Sequence, residues 1–157
     1  MPIVVGRKAP AFSLPDQDGA TVRLDDLAGA PAVIYFYPRD STPGCTLEAK
    51  GFTALAKDFA ALGVQVLGIS PDTPSSHCRF IEKQELSLRL LSDPDRGMLE
   101  SYGAWGEKVL YGRKRLGVIR STVLLGPDGK VLRHWATVKK AADHPAEVLA
   151  AAKEILA

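Results

Sequence analysis

Two apolar runs constrain this chain most: Ala32 to Tyr37 (AVIYFY) and Val64 to Ile69 (VQVLGI). Runs rich in β-formers with little polar alternation need cover on both faces of the strand. Between them, Cys45 to Leu62 carries Leu47, Phe52, Leu55, Phe59 and Leu62 at close to helical spacing and stops at Gly63. Strand, helix, strand predicts parallel neighbours in one sheet. Further along, Ser75 to Glu85 reads as a helix, Leu88 to Leu91 as a strand and Pro94 to Tyr102 as a helix. Val118 to Leu125 and Val131 to Trp135 read as strands around the turn Pro127-Asp128-Gly129, and Pro145 to Leu156 as a closing amphipathic helix. At the start, Phe12 to Leu14 and Thr21 to Leu24 flank Asp16-Gln17-Asp18-Gly19, a hairpin turn. The expected fold is α/β: a mixed central sheet with helices on both faces and an N-terminal β-hairpin, in a single domain over residues 1–157.

Composition narrows the function. Hydrophobic residues at 46% and charged residues at 24% exclude disorder and fibrous repeats. A net charge of +2 is too small to argue for nucleic acid. From Glu107 to Lys140, nine Lys or Arg face two acids, a local charge of +7 that leaves −5 for the rest. That segment reads as a solvated basic loop and hairpin, or as a positive field with Arg113 to Arg115 on its rim. It lacks the interleaved aromatics of a nucleic-acid surface. No secretory signal opens the sequence, and the longest apolar stretch, Ala28 to Tyr37, is half the length a bilayer requires. A cytoplasmic location away from membranes is therefore expected. Cys45 and Cys78 are the two cysteines, too few for a disulfide scaffold. Only His77 lies near either of them, so no zinc site is expected.

In parallel sheets, functional loops gather at the carboxyl edge. The loop after the first buried strand reads Pro38-Arg39-Asp40-Ser41-Thr42-Pro43-Gly44 and delivers Cys45 to the first turn of a helix. Unpaired N–H groups and the helix dipole there favour thiolate over thiol. Thr42 can offer a hydroxyl at the same spot, and Pro38 and Pro43 stiffen the loop. Cys45 could equally be an inert, small core residue, the usual state of a free cysteine. Arg120, in an otherwise apolar strand, must leave the core or find a partner. Glu48, three residues after Cys45, reads as a first-turn acid favoured by the dipole.

Pro38-x-x-x-Thr42-x-x-Cys45 resembles the active-site motif of peroxiredoxins. YFYPRDSTPGCTLEAKGF, VLGISPDTPSSHCRF, LLSDPD, YGAWGEKVLYG and IRSTVLLGPDGKV resemble the bacterioferritin comigratory, or Q-type, subfamily. These blocks run in order from about Gly6 to the last helix. The resemblance implies a thioredoxin-like fold and a peroxidase that reduces hydrogen peroxide and organic hydroperoxides without a cofactor. It makes Cys45 the peroxidatic cysteine and Thr42 the residue that hydrogen-bonds the peroxide. Pro38 becomes the shield of the pocket, and Arg120 the cation that stabilises the thiolate and positions the peroxide. Thr42, the Cys45 N–H and Arg120 are expected to donate where charge develops on the leaving oxygen. Trp105 matches a position at the pocket edge and is expected to pack there, and Glu48 matches one that in the family often meets the active-site arginine, which makes Arg120 its alternative partner.

The resemblance leaves recycling open. Lys50 stands where many members carry a resolving cysteine, and Ile81 where others do. Cys78 lies one helical turn before Ile81 and could resolve Cys45 within one chain. Alternatively, Cys45 acts alone with an external thiol, or the disulfide forms between chains. The two helices are expected on opposite faces of the sheet, so their starts would have to unwind, with Gly51 easing the first. Thioredoxin is the implied reductant and a monomer the implied state. A thiol redox sensor or holdase is the rival reading.

Overall fold

A computed structural model describes residues 3–156, and the structural statements below concern these. Five strands form the central sheet: β3 (Ala32–Phe36), β4 (Gln65–Ser70), β5 (Arg89–Ser92), β8 (Ser121–Leu125) and β9 (Val131–Trp135). Their order is β5-β4-β3-β8-β9. β3, β4 and β5 run parallel, while β8 is antiparallel to both β3 and β9. The expected mixed sheet is therefore present. β3 is buried along its whole length, as its unbroken apolar run requires. The N-terminal hairpin pairs β1 (Ser13–Pro15) with β2 (Thr21–Arg23) around the expected turn. A second hairpin, β6 (Trp105–Leu110) with β7 (Arg113–Val118), stands apart from the sheet and exposes Arg113, Lys114 and Arg115.

Alternation along β3 divides the core. Ile34 and Phe36 face one layer, with Ile69, Leu91, the 3-10 turn Leu24–Leu27 and Leu99 of α4 (Gly97–Ser101). Val33, Tyr35 and Tyr37 face the other. That layer is closed by Phe52 of α1 (Pro43–Ala54), Phe59 of α2 (Ala56–Ala61), Phe80 of α3 (Pro74–Gln84) and Val148 of α5 (His144–Ile155). Helices thus cover both faces, but α1 and α3 share one, against expectation. The cause is topological: β3→β4→β5 steps twice in the same direction, and crossovers of one hand put both helices on one side. The long helix predicted from Cys45 to Leu62 is also interrupted. It starts two residues earlier, at Pro43, and breaks at Leu55, where φ is −99° and ψ 8°.

Aromatic side chains fill the α1 side. Tyr35 stacks on Phe52 with ring centroids 4.6 Å apart and on Tyr37 at 5.5 Å. Gly68 of β4 makes room for this stack, since a Cβ there would lie 2.8 Å from Tyr35 Cζ. Gly51 has a similar role between helices. A Cβ at Gly51 would meet Pro145 Cγ of α5 at 2.7 Å. Gly51→Ala should therefore destabilise the protein, although alanine gains about 1 kcal/mol in helix propensity. The overpacking cost of about 1–3 kcal/mol outweighs that gain. Urea unfolding checks this: a midpoint at or above wild type would count against close packing as the reason for the glycine.

Candidate active site

The segment from Pro38 to Gly44 leaves β3 at the carboxyl edge of the parallel strands. Ser41 adopts a left-handed backbone, φ 65°, which is strained for a residue with a side chain. Thr42 is the N-cap of α1 and Pro43 follows at its first turn, so Cys45 sits where helical amides still lack carbonyl partners. Thr46 N–H is the first to reach back, to Thr42 O at 2.9 Å. The Thr42 hydroxyl makes no cap bond and instead donates to Arg39 O at 2.9 Å. In this arrangement the hydroxyl proton is engaged, and Thr42 Oγ1 keeps lone pairs for a ligand.

Cys45 is 1% exposed. Arg120 Nη2 donates to its Sγ at 3.3 Å, and Arg120 Nη1 donates to Glu48 Oε1 at 2.6 Å. Arg120 therefore lies between a thiol and a carboxylate brought together by one turn of α1. It is not inside a strand, as its apolar surroundings suggested. β7 ends at Val118 and β8 begins at Ser121, and the backbone at Arg120 is held by Val138 N–H donating to its carbonyl at 2.7 Å. Gly44 permits the approach, since a Cβ there would meet Arg120 Nη2 at 3.2 Å. Burial works against the Arg120 charge, but Glu48 and Cys45 outweigh it and hold its pKa above the ordinary value.

Glu48 is fully buried and lies beyond the first turn, so the Arg120 pairing and not the dipole explains it. Its Oε2 has no hydrogen-bond partner among the described residues. Burial pushes its pKa up to about 7, only partly opposed by Arg120.

A cleft of about 340 Å³ opens beside Arg120, lined by Pro38, Glu107, Lys108, Ile119, Thr137 and Val138. Trp105 does not line the cleft. It packs against the opposite core layer with the Arg96 guanidinium 4.5 Å from its ring centroid. Cys78 is exposed on α3, and its thiol donates to Gln17 O in the N-terminal hairpin turn at 2.9 Å. No disulfide joins it to Cys45.

Two residues that sequence reasoning passed over, Asp40 and His77, meet behind this loop. His77 Nδ1 is 2.8 Å from Asp40 Oδ2, with both side chains nearly or wholly buried. The signal was available in the sequence only as an acid in the loop and a histidine on an apolar helix face, 37 positions apart.

Glu48 sets a pH dependence. Its proton is held to about pH 7 when folded, against an ordinary 4.5. Below pH 4.5 the carboxyl is protonated in both states, so stability from the retained proton is complete. That stability is lost as pH rises through 7. Relative to Glu48→Gln, wild type should lose on the order of 3 kcal/mol between pH 4.5 and pH 8. Urea unfolding of both proteins across this range measures it, and a constant difference would refute a buried, reluctantly ionised Glu48.

Comparison with known proteins places the fold and loop together. The AhpC/TSA family matches residues 5–134. Peroxiredoxin Bcp of Bacillus subtilis is 39% identical over 155 residues, covering 99% of this chain and 98% of its own. Peroxiredoxin Bcp of Escherichia coli is 45% identical over 130 residues, 83% of each. Among solved structures, peroxiredoxin Q of Xanthomonas campestris is 42% identical with a TM-score of 0.87, covering 93% of this chain and 92% of that one. The bacterioferritin comigratory protein of the same organism, studied for alkyl peroxide reduction, is 39% identical with a TM-score of 0.90 over 98% of this chain and 100% of that one. The sheet and helices described above are thus those of a thioredoxin-fold peroxiredoxin. The chain belongs to the AhpC/TSA family, in its Q-type, or Bcp, branch, and is a thiol-dependent peroxidase.

Proposed function

We propose that Cys45 is the peroxidatic residue, acting on hydrogen peroxide and organic hydroperoxides. The observation that carries this reading is the guanidinium of Arg120 donating to Cys45 Sγ at 3.3 Å beside an open cleft. A cation at the sulfur stabilises the thiolate, the nucleophilic form. The Sγ electron pair attacks the terminal peroxide oxygen in line, an S–O bond forms, and the O–O bond breaks. The displaced hydroxide or alkoxide takes a proton and leaves as water or alcohol, and Cys45 becomes a sulfenic acid. Arg120 and the Cys45 N–H stabilise the charge that builds on the leaving oxygen. Thr42 Oγ1, its own proton given to Arg39 O, accepts the peroxide O–H and fixes its orientation. Pro38 keeps one side of the cleft free of competing N–H donors.

The Cys78 thiol then attacks the sulfenic sulfur, forming the disulfide and releasing water, and a thioredoxin-type dithiol restores both thiols by exchange. The family likeness also supports a cytoplasmic monomer. A second reading has an observation in its favour. Cys78 faces Gln17 rather than Cys45, which suits a one-cysteine cycle closed by an external thiol.

Intact mass after one equivalent of peroxide separates the two. Loss of two hydrogens in wild type, replaced by an added oxygen in Cys78→Ser, supports the intrachain disulfide. Equal turnover of Cys78→Ser and wild type with a dithiol reductant would end the resolving role. Peroxidase activity surviving in Cys45→Ser would end the assignment itself. Arg120→Lys should lower kcat/KM for peroxide by about 10²-fold, because a point charge cannot hold Glu48 and the reacting oxygens at once. Stopped-flow oxidation measures it, and a loss below threefold would remove Arg120 from the reaction.

A further inference from the structure

We propose that Asp40 and His77 form a latch that keeps the Cys45 loop and the start of the Cys78 helix closed as one unit. Asp40 lies five residues before Cys45, and His77 immediately precedes Cys78. The Asp40 carboxylate gathers three side chains: Tyr37 Oη donates to Oδ1 at 2.6 Å, Ser76 Oγ donates to Oδ2 at 2.8 Å, and His77 Nδ1 reaches Oδ2 at 2.8 Å. His77 is anchored at its other nitrogen, with Nε2 3.0 Å from Leu91 O of β5. A second strut runs the opposite way. The Asp40 N–H donates to Asp72 Oδ2 at 2.7 Å, and Asp72 is held by Ser70 Oγ at 2.8 Å. The Asp40 side chain therefore ties the loop before α1 to the first turn of α3, and its backbone ties the same loop to the segment just before α3.

The two anchored segments differ in what else holds them. Thr73 caps α3 by accepting the Ser76 N–H at 3.1 Å, whereas α1 has no side-chain cap, and the strained Ser41 adjoins Asp40. A strained, uncapped start persists only where its surroundings over-determine it. Cys45 at 1% exposure cannot reach an exposed Cys78, or a bulky thiol, without its loop moving. That movement breaks the Asp40 bonds, and breaking them also releases Ser76 and His77 beside Cys78. Asp40 and His77 are thus positioning residues that act through Cys45 and Cys78. The consequence for disulfide formation rests on the mechanism proposed above, but the latch itself does not.

Hydrogen exchange and thiol labelling in a Cys78→Ser background test the latch without peroxide, so failure of the peroxidase reading cannot be confused with its failure. In Asp40→Asn, amides of residues 39–48 and 73–79 should exchange about tenfold faster, by the same factor in both segments. Amides of β3 and β8 should keep their wild-type rates. Alkylation of Cys45 by a bulky maleimide should rise in step with the exchange. Unchanged rates, acceleration of only one segment, or uniform acceleration that includes β3 and β8 would each overturn the proposal. The last of these is what a merely structural role produces. Asp72→Ala, which removes the acceptor of the Asp40 N–H, gives the same test should Asp40→Asn fail to fold.

Discussion

The arrangement turns on one buried cation. Arg120 holds Glu48 with one guanidinium nitrogen and Cys45 with the other. A charge with only 16% of its side chain exposed is tolerated because a fully buried carboxylate faces it. Such a pair adds little net stability, since desolvation consumes most of the Coulomb gain, but it fixes direction. Three local features exist around it. The strand breaks between Val118 and Ser121, Gly44 lacks a side chain, and Glu48 sits one turn beyond Cys45. Glu48 leaves one oxygen unpaired in the core, so the ion pair is incompletely satisfied and its carboxyl gives up a proton only near neutrality.

The sheet topology adds a second constraint. Because α1 and α3 share a face, the loops before both meet at the carboxyl end of adjacent strands β3 and β4. This brings Asp40 against Ser76 and His77. It also places Cys45 and Cys78 on neighbouring helix starts, the requirement for any exchange between them. The same packing buries Cys45 and turns Cys78 outward to Gln17, so shared position does not amount to contact. A disulfide needs Cα atoms within about 7 Å, a geometry that helix starts reach by fraying.

Much of this was legible from local pattern. The unbroken run of β3, the hairpin around Asp16 to Gly19 and the placing of Cys45 at a helix start each depend on nearby residues, and each is present. What depended on distant partners was not legible. The face occupied by α3 follows from strand order, which a single run of residues does not encode. Gly51 read as a weak point of the helix, yet its reason is Pro145, 94 positions away. Glu48 stood between two roles until Arg120, 72 positions on, chose one. The partner of the Thr42 hydroxyl, Arg39 O, belongs to the curl of the loop, which residue spacing does not encode. Trp105 sits beside cleft residues in sequence but packs on the other core layer in space, under the Arg96 guanidinium.

The closed loop is stabilised by the species that the proposed reaction consumes. α1 starts without a side-chain cap, a feature that commonly supplies about 1 kcal/mol. In its place stand the Asp40 bonds on one side and the Arg120–Cys45 contact on the other. A guanidinium binds a thiolate as a charge-assisted partner, and charge-assisted bonds are roughly twice as strong as neutral ones. In the proposed cycle, conversion of Cys45 to a sulfenic acid alters the sulfur that Arg120 holds before a second thiol has to reach it. The Arg120 side of the restraint weakens through the chemistry itself, while the Asp40 side is unaffected by it. A loop held by both restraints stays shut for peroxide, which is small enough for the cleft. A loop held only by the Asp40 side can open to a larger partner.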